Sequence, residues 1–371
     1  MKKWIVWIVL LISLIGCEHS QAIKIGVVGT MSGPSSDLAV SGRRGIELKV
    51  QEINDAGGIF GRPIELIIKD DHNDRIRSAE IVEEFEDEGV QLVIGPFTSG
   101  MMVGAYDSLL EKDMLYLAPT VSGDNFNGID DNFIRFIAST QEQAYALADL
   151  SESLDHRRFA IIMDSKNKGF NTALANNFKK EIAGFDGQVL WEEDFQELNE
   201  ETLKHLMEVV YSHRGQLDAV FIIASARDLS IIKQRMVLRG IYTSVYGPLW
   251  SHTSDLLRLG GQAVENDYFV SGIDLSSDNP TYKAFVEAYQ AAYGEAPTFP
   301  SLYAYETMSA LEYGILQAGS EDWEGVKKAI ISKDSFEGLQ GSYGLDEYGD
   351  STRRYLIDQV INGEFKRFYE K

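Results

Sequence analysis

From residue 23 onward the chain alternates short apolar runs with stretches of helical period. Residues 23–29, Ile-Lys-Ile-Gly-Val-Val-Gly, have the length and character of a buried strand. Ile46, Val50 and Ile53 then fall at i, i+4 and i+7, one face of a helix over 42–55. Gly57-Gly58 ends that helix, because glycine accepts the left-handed turn that a helix C-terminus needs. The same reading gives strand 64–69, helix 79–87, strand 92–95, helix 101–112 and strand 114–118. After Asn132 the alternation restarts with helix 141–154, strand 159–163, helix 171–182 and strand 188–195. Helix 202–212, strand 219–224, helix 229–239 and strands 244–247 and 268–273 follow. Strands separated by helices call for right-handed crossovers and parallel sheets covered on both faces, an α/β fold.

The last hundred residues read differently. Helices over 282–293, 301–318 and 324–332 run close together, with brief strands at 342–343 and 355–361 that complete sheets begun earlier. A chain of 371 residues predicts about two domains with sizeable cores. No Pro/Gly/Ser-rich linker separates them, so the expectation is two lobes joined by several short crossings, not two beads on a string.

Composition narrows the function. Against 34 Lys and Arg stand 57 Asp and Glu, a net charge of −23, and no basic stripe compensates. Such a surface repels phosphate backbones, which argues against nucleic acid as a partner. A single cysteine excludes an intrachain disulfide framework and a multi-cysteine zinc site. That cysteine, Cys17, ends a segment of Lys2-Lys3, a run from 4 to 15 that is apolar but for Ser13, and Gly16. The run is too short for a hydrocarbon core that needs ~20 helical residues. Basic start, apolar run and small residue are instead the order of an export signal. Leu14-Ile15-Gly16-Cys17 resembles the lipobox of bacterial lipoproteins, which implies removal of residues 1–16 and diacylglycerol on the Cys17 thiol. The plainer alternative is an ordinary signal peptide with an incidental cysteine. The expected product is an acidic body tethered to a membrane outside the cytoplasm, in the periplasm or at the cell surface.

A wider resemblance runs the length of the chain. Ile25-Gly26-Val27-Val28-Gly29-Thr30-Met31-Ser32-Gly33-Pro34 resembles the opening strand and loop of the leucine/isoleucine/valine-binding protein family. Gly45-Ile46-Glu47 and Glu52-Ile53-Asn54-Asp55-Ala56-Gly57-Gly58-Ile59-Phe60-Gly61-Arg62-Pro63 continue the match. So do Asp70-Asp71, Val93-Ile94-Gly95-Pro96, Gln234, Gly240, Gly260-Gly261 and Tyr303-Ala304-Tyr305-Glu306. Each fragment is weak alone; their order is specific. The resemblance implies the type I periplasmic-binding-protein fold, two Rossmann-like lobes with parallel sheets joined by three crossover segments near 138–141, 270–274 and 346–351. It places one lobe at 22–139 plus 273–349 and the other at 140–272 plus 350–371. It also implies a substrate-binding protein of an ABC importer, which encloses a small solute and hands it to a permease without making or breaking a bond. A sensory or scaffolding lipoprotein of the same fold, presenting its ligand to a receptor or cell-envelope enzyme, is the alternative. No cofactor and no metal is expected.

In open α/β sheets ligands sit outside the carboxyl ends of strands, where helix N-termini offer free N–H groups and a positive dipole end. Two loops meet that description: Phe97-Thr98-Ser99-Gly100 after strand 92–95, and Pro119-Thr120-Val121-Ser122-Gly123 after strand 114–118. Both supply hydroxyls and backbone N–H groups suited to a carboxylate. The resemblance assigns the carboxylate to Ser99 and Ser122 and a backbone contact to Thr120; helix and turn capping is the bland reading of the same residues. On the ammonium side the sequence departs from the family. Lys168 and Ser225 stand where amino-acid binders have tyrosines, and Leu249 where they have the acid that pairs with the ligand's ammonium. An ammonium in a closed cleft needs a compensating partner. Either Asp124, Asp274 or Glu306 supplies it from another side, or the ligand has no ammonium and Lys168 meets an anionic or carbonyl group. The second is favoured: an organic acid, aromatic if Phe97, Phe126, Phe170, Trp250 and Tyr303 lie near the cleft and not in the core.

Other motifs fail their context. Ser165-Lys166-Asn167-Lys168 and Ser277-Asp278-Asn279 spell two penicillin-recognising motifs, but no Lys-Thr-Gly follows and Ser165 does not open a clear helix. Six histidines form no H-E-x-x-H, and Asp70-Asp71-His72-Asn73-Asp74 lacks the glycine and glutamate of an EF-hand. Gly26, Gly29 and Gly33 do not have the spacing of a dinucleotide fingerprint. No nucleophile, base and orienting group stand out as a catalytic set.

Overall fold

In the computed structural model, which describes residues 21–33 and 36–369, the strands number β1 to β14 in chain order. The first sheet holds β1 (Ile23–Gly29), β2 (Ile64–Asp70), β3 (Leu92–Ile94), β4 (Leu115–Ala118) and β5 (Phe133–Arg135), in the spatial order β2-β1-β3-β4-β5. Every neighbouring pair is parallel. The second sheet begins with β6 (Arg158–Asp164), β7 (Gln188–Phe195), β8 (Ala219–Ile223), β9 (Ser244–Gly247) and β10 (Tyr268–Ser271). A small hairpin, β11 (Phe336–Glu337) and β12 (Ser342–Tyr343), stands apart, and β13 (Leu356–Ile361) and β14 (Glu364–Tyr369) then extend the second sheet to the order β14-β13-β10-β9-β8-β6-β7. Its first five strands are parallel; β13 and β14 are antiparallel to their neighbours. The α/β fold with parallel sheets is therefore as the alternation predicts.

Burial explains the apolar runs. Phe159 and Ile161 face one core while Ala160 and Ile162 face another, so β6 is apolar on both sides, as a strand covered by helices on both faces must be. Helix starts differ systematically from expectation. Asp37–Asp55, Arg75–Asp87, Ser99–Leu110, Lys168–Ile182 and Ala226–Leu238 each begin two to five residues before the period becomes visible. First turns rich in polar and small residues carry little hydrophobic signal, whereas caps mark them in space: Asp74 accepts the Ile76 N–H and Ser225 the Asp228 N–H. Strands β5, β11 and β14 and the helix Ser254–Gly260 went unpredicted; all are short or lie in polar sequence.

The chain passes between the two sheets three times. It leaves β5 for the helix Thr140–Ser153 and β6, returns after β10 to helices Pro280–Tyr293 and Phe299–Ala318 packed on Asp37–Asp55, and comes back to β13. These passages are pinned to one another. Tyr355 donates to the Ala138 carbonyl (2.7 Å) and Tyr303 to the Gly272 carbonyl (2.8 Å). Arg353 lies between the rings of Tyr303 and Tyr343 and pairs with buried Glu306. The signal segment and Cys17 lie outside the described residues, and among those described no helix is long and apolar enough to cross a membrane.

Candidate functional site

A narrow space of about 20 Å³ lies where the strand ends of the two sheets face each other. That is far below the ~300–1,000 Å³ usual for ligand pockets, so the two walls stand close together and a solute fits only when they part. Leu38, Phe97, Ser99, Thr120, Ser122 and Phe299 line it from the first-sheet side, and Ile137 from the first passage. Gln143, Asn167, Phe170, Leu249 and Trp250 line it from the second-sheet side. Among the described residues the wall carries no charged side chain.

Glycines shape the first wall. A side chain on Gly42 would meet the Phe97 ring at 2.0 Å and one on Gly29 would meet it at 2.7 Å, so the ring occupies a niche that only glycine leaves open. Phe97 in turn presents its carbonyl to the Thr120 hydroxyl (2.6 Å). Ser99 Oγ accepts the Gly123 N–H (3.0 Å), tying the two loops together. Ser99 opens the helix Ser99–Leu110, capped by Thr98, whose hydroxyl accepts the Met101 N–H (3.4 Å). The N–H groups of Ser99 and Gly100 have no acceptor within the helix, as the first turn of any helix dictates. They present a partial positive charge beside the cavity.

The second wall is mostly apolar. Phe170 and Trp250 pack edge to face at 6.2 Å between centroids. The Leu249 N–H donates to Gln143 Oε1 (3.1 Å), fixing that loop against the helix Thr140–Ser153. Asn167 is 9% exposed, and its Oδ1 has no hydrogen-bond partner. A Cβ on Gly100 would lie 3.2 Å from that oxygen, so the amide sits against the first turn of the opposing helix.

Of the residues singled out in the sequence, Ser99, Thr120, Ser122, Leu249 and Trp250 line the space, with Phe97 and Phe170 among the aromatics. Four lie off its wall. Gly100 stands just behind Ser99 at the approach of Asn167. Lys168 is exposed, because the three-residue turn Ser165–Asn167 leads into the helix so that Asn167 and Phe170 point inward. Ser225 caps the helix Ala226–Leu238 and faces a separate, charged mouth of the cleft with Asp164, Lys166, His72 and Arg227. Tyr303 is buried against Gly272 and Arg353. Phe126 is core, packed edge to face on Tyr106 and Phe133. Ser165 donates to the Phe195 carbonyl (3.0 Å).

The three acids considered for an ammonium are all engaged elsewhere. Asp124 accepts from the Thr140 N–H (3.1 Å) and from Asn177 across the halves. Glu306 holds Arg353 and the Leu339 N–H (2.6 Å). Asp274 takes the Ser276 N–H (2.9 Å) and lies 3.7 Å from Arg367 on the outside of the second passage. One acid does sit at the seam: Asp37, next to Leu38, accepts the Thr253 hydroxyl of the other half (3.3 Å) and leaves Oδ1 unpartnered. Burial, with Asp255 nearby, pushes its carboxyl up to about 6. Among the described residues no group of three His, Cys, Asp or Glu could hold a metal ion.

Leu38, Ile137, Gln143, Asn167 and Phe299 were not singled out from sequence. Two had a usable signal. Gln143 precedes Leu147 by four positions and Asn167, just before its helix, precedes Phe170 by three, so each is a polar residue in line with a buried helix face.

The sequence model of the periplasmic binding protein family matches residues 22–363. Leu/Ile/Val-binding protein homolog 1 of Brucella suis is 26% identical over 337 residues, covering 88% of this chain and 87% of its own. The branched-chain amino acid transporter substrate-binding protein LivJ of Streptococcus pneumoniae, solved with isoleucine, superposes with a TM-score of 0.84 at 22% identity, over 93% of this chain and 98% of that one. An ABC transporter solute-binding protein of R. palustris, solved with benzoate, gives 0.82 at 19% identity, over 93% and 95%. The chain belongs to the periplasmic binding protein family, among the type I proteins that include the Leu/Ile/Val-binding proteins.

Proposed function

We propose that this periplasmic binding protein captures a small carboxylate-bearing solute, an amino acid or an organic acid, and delivers it to the permease of an ABC importer. The lobes are 22–139 plus 273–349 and 140–272 plus 350–371, and they close on the solute as rigid bodies about the three passages. Ser99, Ser122 and the first-turn N–H groups of Ser99 and Gly100 take the carboxylate. Phe97, Phe170, Leu249 and Trp250 cover the apolar body. Residues 1–16 are the signal peptide, and a lipid on Cys17 keeps the protein at the membrane outside the cytoplasm.

One observation carries this reading: a narrow gap between the halves has hydroxyls and a helix N-terminus on one wall and aromatic side chains from the other half on the second. The neighbours solved with isoleucine and with benzoate bind a carboxylate solute, which agrees with it. Only contacts made to both halves at once shift an open molecule toward the closed one, so such a wall arrangement suits capture and release. The reading is of recognition without reaction, as in the solute-binding proteins this chain is similar to.

A thermal-shift screen of the purified protein against amino acids, aliphatic acids, aromatic acids and amides tests it. A ligand at a hundred times its dissociation constant stabilises by ~2.7 kcal/mol and raises the midpoint visibly. Silence across all carboxylates, or a hit that Ser99→Ala and Ser122→Ala both leave intact, overturns the assignment.

A further inference from the structure

We propose that Asn167 is the polar contact of the second half to the ligand's carboxylate, and that the protein selects carboxylates lacking an ammonium group. This rests on the binding reading above and goes further in naming the solute class.

The first support is the composition of the wall. An α-ammonium drawn into this space would meet hydroxyls, amides and rings on its wall but no carboxylate; Asp37, the acid at the seam, faces a different opening, lined also by Arg44 and Arg258. Asp124, Glu306 and Asp274 are committed to Thr140 and Asn177, to Arg353, and to Ser276. A buried charge without a partner is strongly unfavourable, and the hydroxyls do not replace a counter-ion. A carboxylate, by contrast, finds donors on the first wall: the Ser122 hydroxyl and the N–H groups of Ser99 and Gly100.

The second support is Asn167 itself. It is more than nine-tenths buried, lines the space, and leaves Oδ1 without a partner. Buried polar groups are nearly always satisfied, so an unpaired amide at a cavity wall marks a group waiting for a ligand. Its position is specific: the oxygen lies 3.2 Å from where a Gly100 Cβ would stand, against the first turn of the opposing helix. Turning the amide about its last torsion presents Nδ2 instead, a donor aimed at the place where the helix N–H groups converge. A carboxylate there is held by the first half through the helix and by the second through Asn167. The anion itself then bridges the halves, and closure depends on it.

Isothermal titration with matched pairs reads this directly: 4-methylpentanoate against leucine, 3-phenylpropanoate against phenylalanine, and benzoate alone. The expected result is that a deamino acid binds at least 100-fold more tightly than its amino counterpart. In Asn167→Ala that affinity falls about tenfold or more while the unfolding midpoint of the free protein stays unchanged or rises, because no internal bond is lost. In Asn167→Asp the carboxylates weaken further, and the preference over the amino acids shrinks as an anion appears on the wall. Leucine or phenylalanine binding as tightly as its partner overturns the inference, as does Asn167→Ala with wild-type affinity. Silence of all five compounds overturns it too, whereas the binding reading survives that result and falls on a silent carboxylate screen or on hits indifferent to Ser99→Ala and Ser122→Ala.

Discussion

On the wall built from the first sheet, Ser99 and Thr120 are already hydrogen-bonded, to the Gly123 N–H and the Phe97 carbonyl. On the facing wall Asn167 has an oxygen with no partner, set among Phe170, Leu249 and Trp250. The first wall is organised before any ligand arrives, so little ordering is needed to dock a carboxylate there. Under the proposed function, a site divided in this way would dock its ligand on one half and use the other to sense occupancy, as a closing cleft requires.

The largest effect expected lies at the seam between the walls. Burial pushes the Asp37 carboxyl up to about 6 in the folded protein, from an ordinary value of 3.8. The stabilisation that its raised value provides is full below the unfolded value and is lost as pH rises through about 6, up to about 3 kcal/mol. Urea unfolding at pH 4.5, 6 and 7.5 should therefore show wild type losing stability relative to Asp37→Asn as pH rises. Parallel profiles would mean that the carboxyl is solvated and the seam open.

Next is the apolar wall. Trp250→Ala removes a large ring from contact with the ligand, for a loss of about 2–3 kcal/mol, roughly 30- to 150-fold in Kd for an aromatic acid. Titration of benzoate into both proteins measures it; a change below threefold would show that the second half barely touches the ligand. The smallest effect is on the organised wall. Ser122→Ala deletes one charge-assisted hydrogen bond, about 1.5 kcal/mol or roughly tenfold in Kd. If Ser122→Ala instead costs more than Trp250→Ala, affinity resides in the hydroxyl wall alone and the division of labour is wrong.

Much of this site was legible in the chain. Strand-end loops rich in hydroxyls and glycine, 97–100 and 119–123, announced the first wall because sequence-local chemistry makes it: a cap, a helix start and a tight turn all lie within a few residues. The second wall was harder. Lys168 looked like the group facing the ligand, yet one turn of 3-10 helix over Ser165–Asn167 rotates the loop and brings Asn167 inward instead. A shift of one residue around a helix is about 100°, enough to exchange a buried position for an exposed one. Ser225 and Tyr303 show the same limit. Their types suit a ligand contact, but one caps a helix and the other supports the passage at Gly272.

The alternation of apolar runs and helical periods determined by itself that this chain builds parallel sheets covered by helices, since burial of both strand faces is written into consecutive residues such as Phe159 to Ile162. The ordered motifs likewise determined the family. Only the tertiary structure decided which side chains share the cavity, because residues as distant as Leu38, Asn167 and Phe299 meet there. Such meetings depend on the rotation of each helix start and on the approach of the two halves, and neither leaves a periodic trace in the sequence.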